Sequence, residues 1–368
     1  NQDHLAVSNL DNKGNLLKIY TFNYDLNGNK HQNNNSISLA VKELMKLMEN
    51  NPGIIADITI KNLCLAAPKY NGSPLLWLSG TCRGITILKK IFIENKKLAA
   101  DINGPALCLG LNKNAQPDGK TNESSLLWLL SFPGGREVLL MLFENNPKLS
   151  ISISGGAICL TPENGKLAYK SPLFFLCESA EGRRIFEKLL KENDRLAIKI
   201  TPKALCQPIP DSKESPLFRL CESADGIALL TKLLHDNPTL SKGITLEALT
   251  QSPSYGMDEQ PRLSTLVTTN TEGKAILKVS AIGHPKISAW HLLSLSPEGE
   301  TIVKILIQNN PELLVLNKKT DKVAEELSSS TYEPSAASQL TFFKAKQERD
   351  ESSDAGQGHV CKPEHNSP

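Results

Sequence analysis

The chain has 368 residues, of which 22% are charged, and its formal net charge at pH 7 is only +2. This near balance gives no electrostatic argument for binding a nucleic acid or a membrane surface, and the basic residues form no stripe interleaved with aromatic side chains. No apolar run approaches the length that a membrane-spanning helix needs, and no signal-peptide pattern is visible at the N-terminus.

Residues 1–35 differ in pattern from the rest of the chain. They contain extended segments separated by turns of the Asn-Gly type. Such segments predict a β-hairpin or a small sheet. Either this segment caps the helical array that follows it, or it is the remnant of a preceding domain. We favour the cap, because the first unit of an array exposes an apolar face that needs cover.

An internal repeat organises the chain from about residue 36 to residue 330. The clearest copies are Ser171–Cys206 and Ser215–Thr250, and further copies begin at Ser73, Ser124 and Ser288. Repeats of this kind bury their apolar faces against one another, since one unit alone cannot do so. The sequence therefore predicts an all-α solenoid of about six to seven helix-turn-helix repeats, each with an extra short third helix.

The copy that begins at Ser171 shows the parts of one repeat. Ser171 is a favourable N-cap, and Pro172 suits the first position of a short first helix. Gly182 is expected at a tight turn with positive φ between the two helices. Asn193 is expected to end the longer second helix as a left-handed C-cap. Thr201 is the predicted N-cap of one further helical turn.

The glycine and the cap recur at constant offsets. A degenerate first repeat is predicted over residues 36–64, and an eroded sixth repeat over residues 262–287. In the sixth, polar residues occupy apolar slots and the third element is absent, so we expect a weak point in the stack there. The glycines are Gly84, Gly135, Gly182, Gly226, Gly273 and Gly299, and the caps are Asn95, Asn146, Asn193, Asn237, His284 and Asn310.

The repeat also accounts for most of the eight cysteines. One slot holds Cys64, Cys108, Cys159 and Cys206, and a second slot holds Cys177 and Cys221. Other repeats place Thr, Ser or Leu in these slots, so we interpret both as small, buried packing positions. We expect neither a metal site nor a cofactor. Unpaired thiols in this number indicate a cytosolic environment in which cysteines are reduced.

The repeat resembles the ankyrin repeat over roughly residues 36–330. Ser-Pro-Leu stands where that family has Thr-Pro-Leu-His, and the last repeat, from Ser288, follows the family pattern most closely. The chain departs from the pattern in three ways. The stretch before the turn glycine is longer, the histidine appears only as His291, and the repeats are spaced well beyond the roughly 33 residues of an ordinary ankyrin repeat. We therefore describe the repeats as divergent.

Atypical ankyrin repeats in a chain rich in Asn, Lys and Ile are similar to those of effectors from intracellular bacteria of the Legionella and Coxiella type. This resemblance implies a secreted bacterial protein that acts in the host cytoplasm. The polar C-terminal tail, residues 331–368, is predicted to be mostly disordered. It resembles a type IV secretion signal, and an ordinary solvated tail is the alternative.

Long connectors between the repeats are the predicted binding elements, because insertions in a solenoid often form its binding face. Tyrosines beside charged residues have the composition of an interface anchor and its rim. The candidate partner-binding residues in the connectors are Lys69, Tyr70, Lys166, Tyr169, Lys170, Tyr255, Asp258 and Glu259. Three further candidates, Trp77, Trp128 and Arg219, share one slot of the first helices. The alternative is that the loops are merely polar and that these aromatic rings pack on the helices.

No catalytic motif was found: the chain has no glycine-rich phosphate loop, no HExxH, no GxSxG and no paired CxxC. The sequence therefore favours a non-enzymatic module that binds a partner protein, most simply a host protein, through its loops and concave face. A rival hypothesis is the targeting part of a larger effector enzyme whose catalytic domain lies outside this chain. A third is a minimal enzyme that acts from the concave face.

Overall fold

The computed structural model describes residues 44–64, 73–108, 123–163, 167–253, 266–269, 275–278, 287–294 and 296–314. These residues belong to two compact units, one with the described residues up to Ala168 and one from Tyr169 onward. Their regular structure is helical apart from one two-stranded sheet, so the all-α prediction is confirmed. The predicted segments 1–35 and 331–368 lie outside the described residues. Of the helices described, none combines the length and apolar character needed to cross a bilayer.

The helices of the first unit are α1 (residues 44–50), a 3-10 turn (Pro52–Ile55), α2 (Ile60–Cys64), α3 (Pro74–Ser79), α4 (Cys82–Glu94), α5 (Lys96–Asp101), α6 (Gly104–Cys108), α7 (Ser125–Ser131), α8 (Pro133–Asn145), α9 (Leu149–Ser152) and α10 (Gly155–Cys159). The elements of the second unit are α11 (Pro172–Glu178), α12 (Ala180–Glu192), α13 (Leu196–Lys199), α14 (Pro202–Cys206), α15 (Pro216–Cys221), α16 (Ala224–Asp236), α17 (Pro238–Gly243), α18 (Leu246–Thr250), β1 (Leu266–Thr269), β2 (Ala275–Lys278), α19 (Ala289–Ser294), α20 (Pro297–Asn309) and a 3-10 turn (Pro311–Leu313).

Each well-formed repeat begins and ends its helices through local hydrogen bonds. In α11, the Ser171 hydroxyl accepts a bond from the amide of Phe174 at 3.2 Å, which caps the helix as expected. Thr201 caps α14 in the same way through the amide of Ala204, also at 3.2 Å. The predicted third element is therefore confirmed. A further turn of helix, α13, precedes it and was not distinguished in the sequence.

Equivalent helices of neighbouring repeats pack on one another within each unit. In the first unit α3 contacts α7 and α4 contacts α8, and in the second unit α11 contacts α15 and α12 contacts α16. The apolar stripe of α12 is buried, with Ile185 and Phe186 fully inaccessible and Leu189 only 1% exposed. Each such side chain contributes roughly 1.5–3 kcal/mol when it leaves water, so the burial of this stripe contributes substantially to the stability of the helix stack.

The recurrent glycines lie inside the second helices and not in a turn. Each of the five that the structure describes is the third residue of its helix, and none of these five has a positive φ, so the predicted conformation was wrong. A Cβ atom on Gly182 would lie only 2.3 Å from the carbonyl oxygen of Phe175 in the preceding helix, and one on Gly135 would lie 2.2 Å from that of Leu129. The glycine is therefore needed because the backbones of the two helices approach closely.

The recurrent asparagines also have a different role from the one expected. Their φ angles run from −113° at Asn95 to −136° at Asn237 and Asn310, so they are not left-handed caps. The side-chain amide of Asn237 instead donates to the carbonyl oxygens of Ala197 at 2.9 Å and Ile200 at 3.2 Å in the preceding repeat. The carbonyl oxygen of Ala197 also accepts the amide of Ile200 at 3.1 Å, so the asparagine supplies it with a second donor.

The same inter-repeat bond occurs in the first unit. The Asn95 amide donates to the carbonyl oxygens of Ile55 at 2.9 Å and Ile58 at 3.1 Å. The Asn146 amide donates to that of Ile102 at 2.6 Å. Repeats are thus joined by a directional polar contact in addition to their apolar packing.

Residues 262–287 do not form the sixth repeat that was predicted. They contain β1 and β2, which pair antiparallel with Leu266 opposite Lys278. The last repeat packs directly on the repeat that precedes this segment: α19 contacts α15 and α18, and α20 contacts α16 and α17. Gly273 and His284, which were assigned to the glycine and cap positions, lie outside the described residues.

The asparagine contact of the last repeat shows how many extra residues lie between it and the repeat on which it packs. The Asn310 amide donates to the carbonyl oxygens of Ser241 and, at 3.4 Å, Ile244. These partners are 69 and 66 positions away in the chain, whereas the partners of Asn237 are 40 and 37 positions away. Both differences are 29 residues. A segment of that length is therefore inserted between two repeats that stack as ordinary neighbours.

Substitutions at the adjacent Gly134 and Gly135 of α8 can test how closely this helix approaches α7. Gly135→Ala should lower the free energy of unfolding by roughly 2–3 kcal/mol, because the new methyl group meets a backbone oxygen that has no room to move. Gly134→Ala should be neutral or stabilising by up to about 1 kcal/mol, because its Cβ would meet only Ile85 at 3.4 Å. Urea unfolding of both variants measures the difference. Equal stabilities would show that the helices do not approach this closely.

The hydrogen bond that asparagine makes between repeats can be tested by substituting the adjacent Asn145 and Asn146. Asn146→Ala should cost about 1–3 kcal/mol, because it leaves a carbonyl of the preceding repeat without a donor. Asn145 is similarly half-buried, but its amide bonds only to Met141 in its own helix, at 2.8 Å. Asn145→Ala should therefore stay within about 0.5 kcal/mol of the unaltered chain. Thermal unfolding of both variants gives the comparison, and an Asn146 effect no larger than the Asn145 effect would contradict the role assigned to the bond.

Candidate partner-binding surface

Five of the predicted partner-binding residues lie in the described part of the chain, namely Trp77, Trp128, Tyr169, Lys170 and Arg219. The other six, Lys69, Tyr70, Lys166, Tyr255, Asp258 and Glu259, lie outside it. The two tryptophans belong to the first compact unit and the other three residues to the second.

The tryptophans of the first unit occupy equivalent positions on α3 and α7, and both are half-buried. The Trp128 ring stacks on Phe132, with ring centroids 6.2 Å apart and planes inclined by 17°. It also lies against Gly80 of the preceding repeat, 3.8 Å from where a Cβ atom would be. Trp128 thus packs between neighbouring repeats and keeps part of its surface accessible, which is a favourable state for an aromatic contact residue.

Tyr169 and Lys170 lead into α11 in the second unit. Tyr169 has a φ of 65° and is 45% exposed. The ammonium of Lys170 lies 5.5 Å and 5.7 Å from the ring centroids of Phe174 and Phe175, within the range of a cation–π contact. Those two rings are buried and meet edge to face. The Lys170 side chain is therefore held against the helix, while the Tyr169 ring remains at the surface.

Arg219 on α15 lies between two carboxylates. Its guanidinium is 2.9 Å from Glu214 and 3.0 Å from Glu222, and the Arg219 side chain is only 21% exposed. Burial lowers the pKa of Arg219, but the carboxylates of Glu222, Glu214 and Glu178 outweigh it and hold that pKa above its ordinary value. The Nε atom is buried and has no hydrogen-bond acceptor among the described residues. Arg219 is thus a fixed cation at the edge of the helix stack.

A second arginine, Arg183, connects its own repeat to the next one. The Arg183 guanidinium bonds Asp225 of the next repeat at 2.6 Å and donates to the carbonyl oxygen of Cys177 at 3.1 Å. Arg136 occupies the equivalent position in the first unit and makes the equivalent bond, to the carbonyl oxygen of Leu130 at 2.9 Å. An arginine in this position satisfies a carbonyl at the end of the first helix, which otherwise has no donor.

The connector over residues 207–214 is described in full and folds back on its repeat. The amide of Ile209 donates to the carbonyl oxygen of Glu214 at 2.8 Å, and the amide of Lys213 donates to that of Ile209 at 2.7 Å. Ile209 is buried, and Lys213 has a φ of 55°. This closed loop fixes Glu214 beside Arg219.

The cysteines of the two slots have the properties of packing residues. Cys177 and Cys221 are buried, whereas the cysteines of the other slot are half-buried. Burial raises the pKa of Cys206 to about 12. It also raises the pKa of Cys108 to about 11, although a backbone hydrogen bond with Ser154 acts to lower that pKa. Such thiols hold little thiolate at neutral pH and are poor nucleophiles. Cys82, which is in neither slot, is disulfide-bonded. Within the described ranges, no three His, Cys, Asp or Glu side chains converge to hold a metal ion.

Sequence reasoning named Arg219 as a candidate contact residue but missed the residues that hold it. Glu222 could have been identified, because residues three apart on a helix are neighbours. Glu214 and Glu178 reach Arg219 through a folded loop and a neighbouring repeat, and neither proximity is visible in the local sequence. The carboxylates therefore became apparent only in the folded chain.

Comparisons with protein-family models, with curated proteins and with solved structures found no match to this chain. The relation to ankyrin repeats therefore remains a resemblance, and the function has to be inferred from the residues themselves.

The Arg219 cluster gives a stability prediction. Arg219→Met should cost roughly 2 kcal/mol or more, because it leaves the carboxylates of Glu214 and Glu222 beside each other without a cation, and the Glu214 side chain is only 11% exposed. Glu214→Gln in the same chain should restore most of the loss. Lys232→Met is a matched control, since its pair with Asp236 is more exposed. Urea unfolding that shows no rescue by Glu214→Gln would contradict the charge-pair explanation.

Proposed function

We propose that the chain is a protein-binding module: an ankyrin-like α-solenoid that holds a partner protein through its connectors and the exposed positions of its first helices. The stacking of equivalent helices and the repeated asparagine bonds within each unit support the solenoid form. The compositional resemblance to effectors supports a host protein as the partner.

One observation carries the proposal most strongly, and it concerns Tyr169. This side chain is 45% exposed, and its backbone is in the left-handed region, which side chains other than glycine adopt at a cost of about 1 kcal/mol or more. Glycine at this position would remove the strain, and a small polar residue would remove the exposed ring. An exposed tyrosine in a strained conformation contributes little to folding, so a role in binding explains its presence better.

The neighbouring side chains have the properties of a binding surface. Tyrosine and arginine are the residues most often found at the energetic centres of protein interfaces. Lys170 is held by two phenylalanine rings and Arg219 by two carboxylates, so both lose little freedom when a partner binds. The helices beneath are rigid, because their apolar stripes are buried. A partner would therefore meet positioned side chains on a stable support.

Two substitutions at Tyr169 separate binding from stability. Tyr169→Gly should be more stable than Tyr169→Ala by about 1 kcal/mol, because only glycine relieves the left-handed strain. Both variants should capture the partner from host-cell lysate at least tenfold more weakly, since both lack the ring. Ile198→Ala, at another exposed apolar residue of the same unit, should bind as the unaltered chain does.

Capture is measured by quantitative mass spectrometry of proteins retained by the immobilised chain. Equal retention by the unaltered chain and both Tyr169 variants would reject Tyr169 as a contact residue. If the unaltered chain retained no specific protein, the proposal would fail, and the rival hypothesis of a targeting part of a larger enzyme would be favoured.

A further inference from the structure

We propose that copies of this chain associate head to tail, so that the first repeat of one copy stacks on the last repeat of another. The first repeat is α1 with the 3-10 turn and α2 that follow it, and the last repeat is α19 and α20 with the 3-10 turn that follows them. Neither repeat contains the residues of the surface around Tyr169, so this association is separate from the function proposed above.

The residue four places after the recurrent asparagine shows whether a repeat has a neighbour stacked on it. Inside the units, the backbone carbonyl of this residue accepts the asparagine amide of the next repeat. Three residues with this bond are Ile55, Ala197 and Ser241. All three are at most 3% exposed. A stacked neighbour therefore buries this position and bonds to its backbone.

The last repeat is open on this side. Leu314 stands four places after Asn310 and is 47% exposed. Ile307, the eleventh residue of α20, is half-buried. The eleventh residues of the four other second helices are all buried, namely Phe92, Phe143, Leu190 and Leu234. The last repeat thus exposes apolar surface at positions that a further repeat covers elsewhere.

The first repeat is open on the opposite side, where the other repeats reach their predecessors. Asn51 has a φ of −140° and a ψ of 80°, close to the −136° and 80° of Asn237, which makes the inter-repeat bond. Asn237 is only 4% exposed, whereas Asn51 is exposed and its amide has no acceptor among the described residues. Leu47, one turn earlier on α1, is half-buried, although its counterpart Leu233 is fully buried. Asn51 therefore has the backbone conformation of the contact without the contact.

The two open sides match each other as neighbouring repeats do. The last repeat offers apolar surface at Leu314 and Ile307, and the first repeat offers an asparagine amide beside Leu47. In the second unit the same combination is already joined, since α20 contacts α16 and α17 and the amide of Asn310 reaches Ser241. The interface between copies therefore continues an interface that exists within the chain, and a second copy is the occupant that supplies it.

The contact joins two different surfaces and is therefore heterologous. A copy that binds through its last repeat keeps its first repeat free for a further copy. Association of this kind produces rings or filaments and does not stop at a symmetric dimer.

Sedimentation velocity of the full chain over a series of concentrations tests the association. The unaltered chain should form dimers and larger species as its concentration rises. Leu314→Glu should weaken association at least tenfold, because it places an unpaired charge where the other copy packs. Ile198→Glu, at a residue of the same unit that is 62% exposed, is the matched control and should associate as the unaltered chain does. An unaltered chain that stays monomeric up to millimolar concentration would overturn the proposal.

The first repeat is tested in the same way. Asn51→Glu should also weaken association at least tenfold, since it removes the amide donor and brings a carboxylate to a carbonyl oxygen. Asn50→Glu changes the neighbouring exposed residue at the end of α1 and should leave association unaltered. Because both altered residues are exposed, Leu314→Glu and Asn51→Glu should melt within about 3 °C of the unaltered chain. Unfolding of both variants would assign these residues to the fold and contradict the proposal.

A mixture of the two variants distinguishes head-to-tail stacking from other modes of association. Leu314→Glu keeps an intact first repeat and Asn51→Glu keeps an intact last repeat, and the two altered ends repel each other. Each variant alone should be monomeric, whereas the mixture should form a one-to-one dimer and nothing larger. The absence of this dimer, or association of either variant alone as strong as that of the unaltered chain, would reject the proposal.

Discussion

The structure depends on a hydrogen bond from an asparagine side chain to backbone carbonyls of the preceding repeat. Apolar packing between helices is strong, but it is not directional, and equivalent stripes could slide along one another. The amide of Asn95, Asn146, Asn237 or Asn310 can meet its carbonyls only when two repeats are in one register. It also adds a donor to carbonyls at the ends of short helices, including that of Ala197, which already accepts the amide of Ile200. Register is therefore secured by a side chain that bonds across the boundary between repeats.

The recurrent glycines fix the packing of the two helices within a repeat, whereas the asparagines fix the packing of one repeat on the next. Gly84, Gly135, Gly182, Gly226 and Gly299 allow the second helix to start almost in contact with the backbone of the first. In most repeats a serine or threonine caps the same turn, as Ser179 does for the amide of Gly182. The result is a rigid helix pair with a fixed crossing. On such a pair, exposed side chains keep constant positions, which is what a binding surface requires.

The surface of the second unit combines two kinds of fixed side chain. Lys170 is held by the faces of buried rings, and Arg219 is held by carboxylates, so one position depends on apolar packing and the other on charge. Tyr169 departs from the pattern, because its backbone is strained and its ring is exposed. Strained backbone of this kind is more often found where a protein binds or reacts than where it only packs.

The sequence by itself determined the helical class, the helix starts at Ser171 and Thr201, and the positions of the recurrent glycine and asparagine, because capping and apolar periodicity are local properties. It also named Tyr169 and Arg219 as candidate contact residues. Only the tertiary structure decided why the glycine and asparagine recur, because a clash with Phe175 and a bond to Ala197 involve partners that local pattern does not reveal. The insertion before the last repeat was misread for the same reason. Residues 262–287 carry a glycine at the right offset, but whether repeats stack with or without a segment between them is settled by which surfaces bury each other.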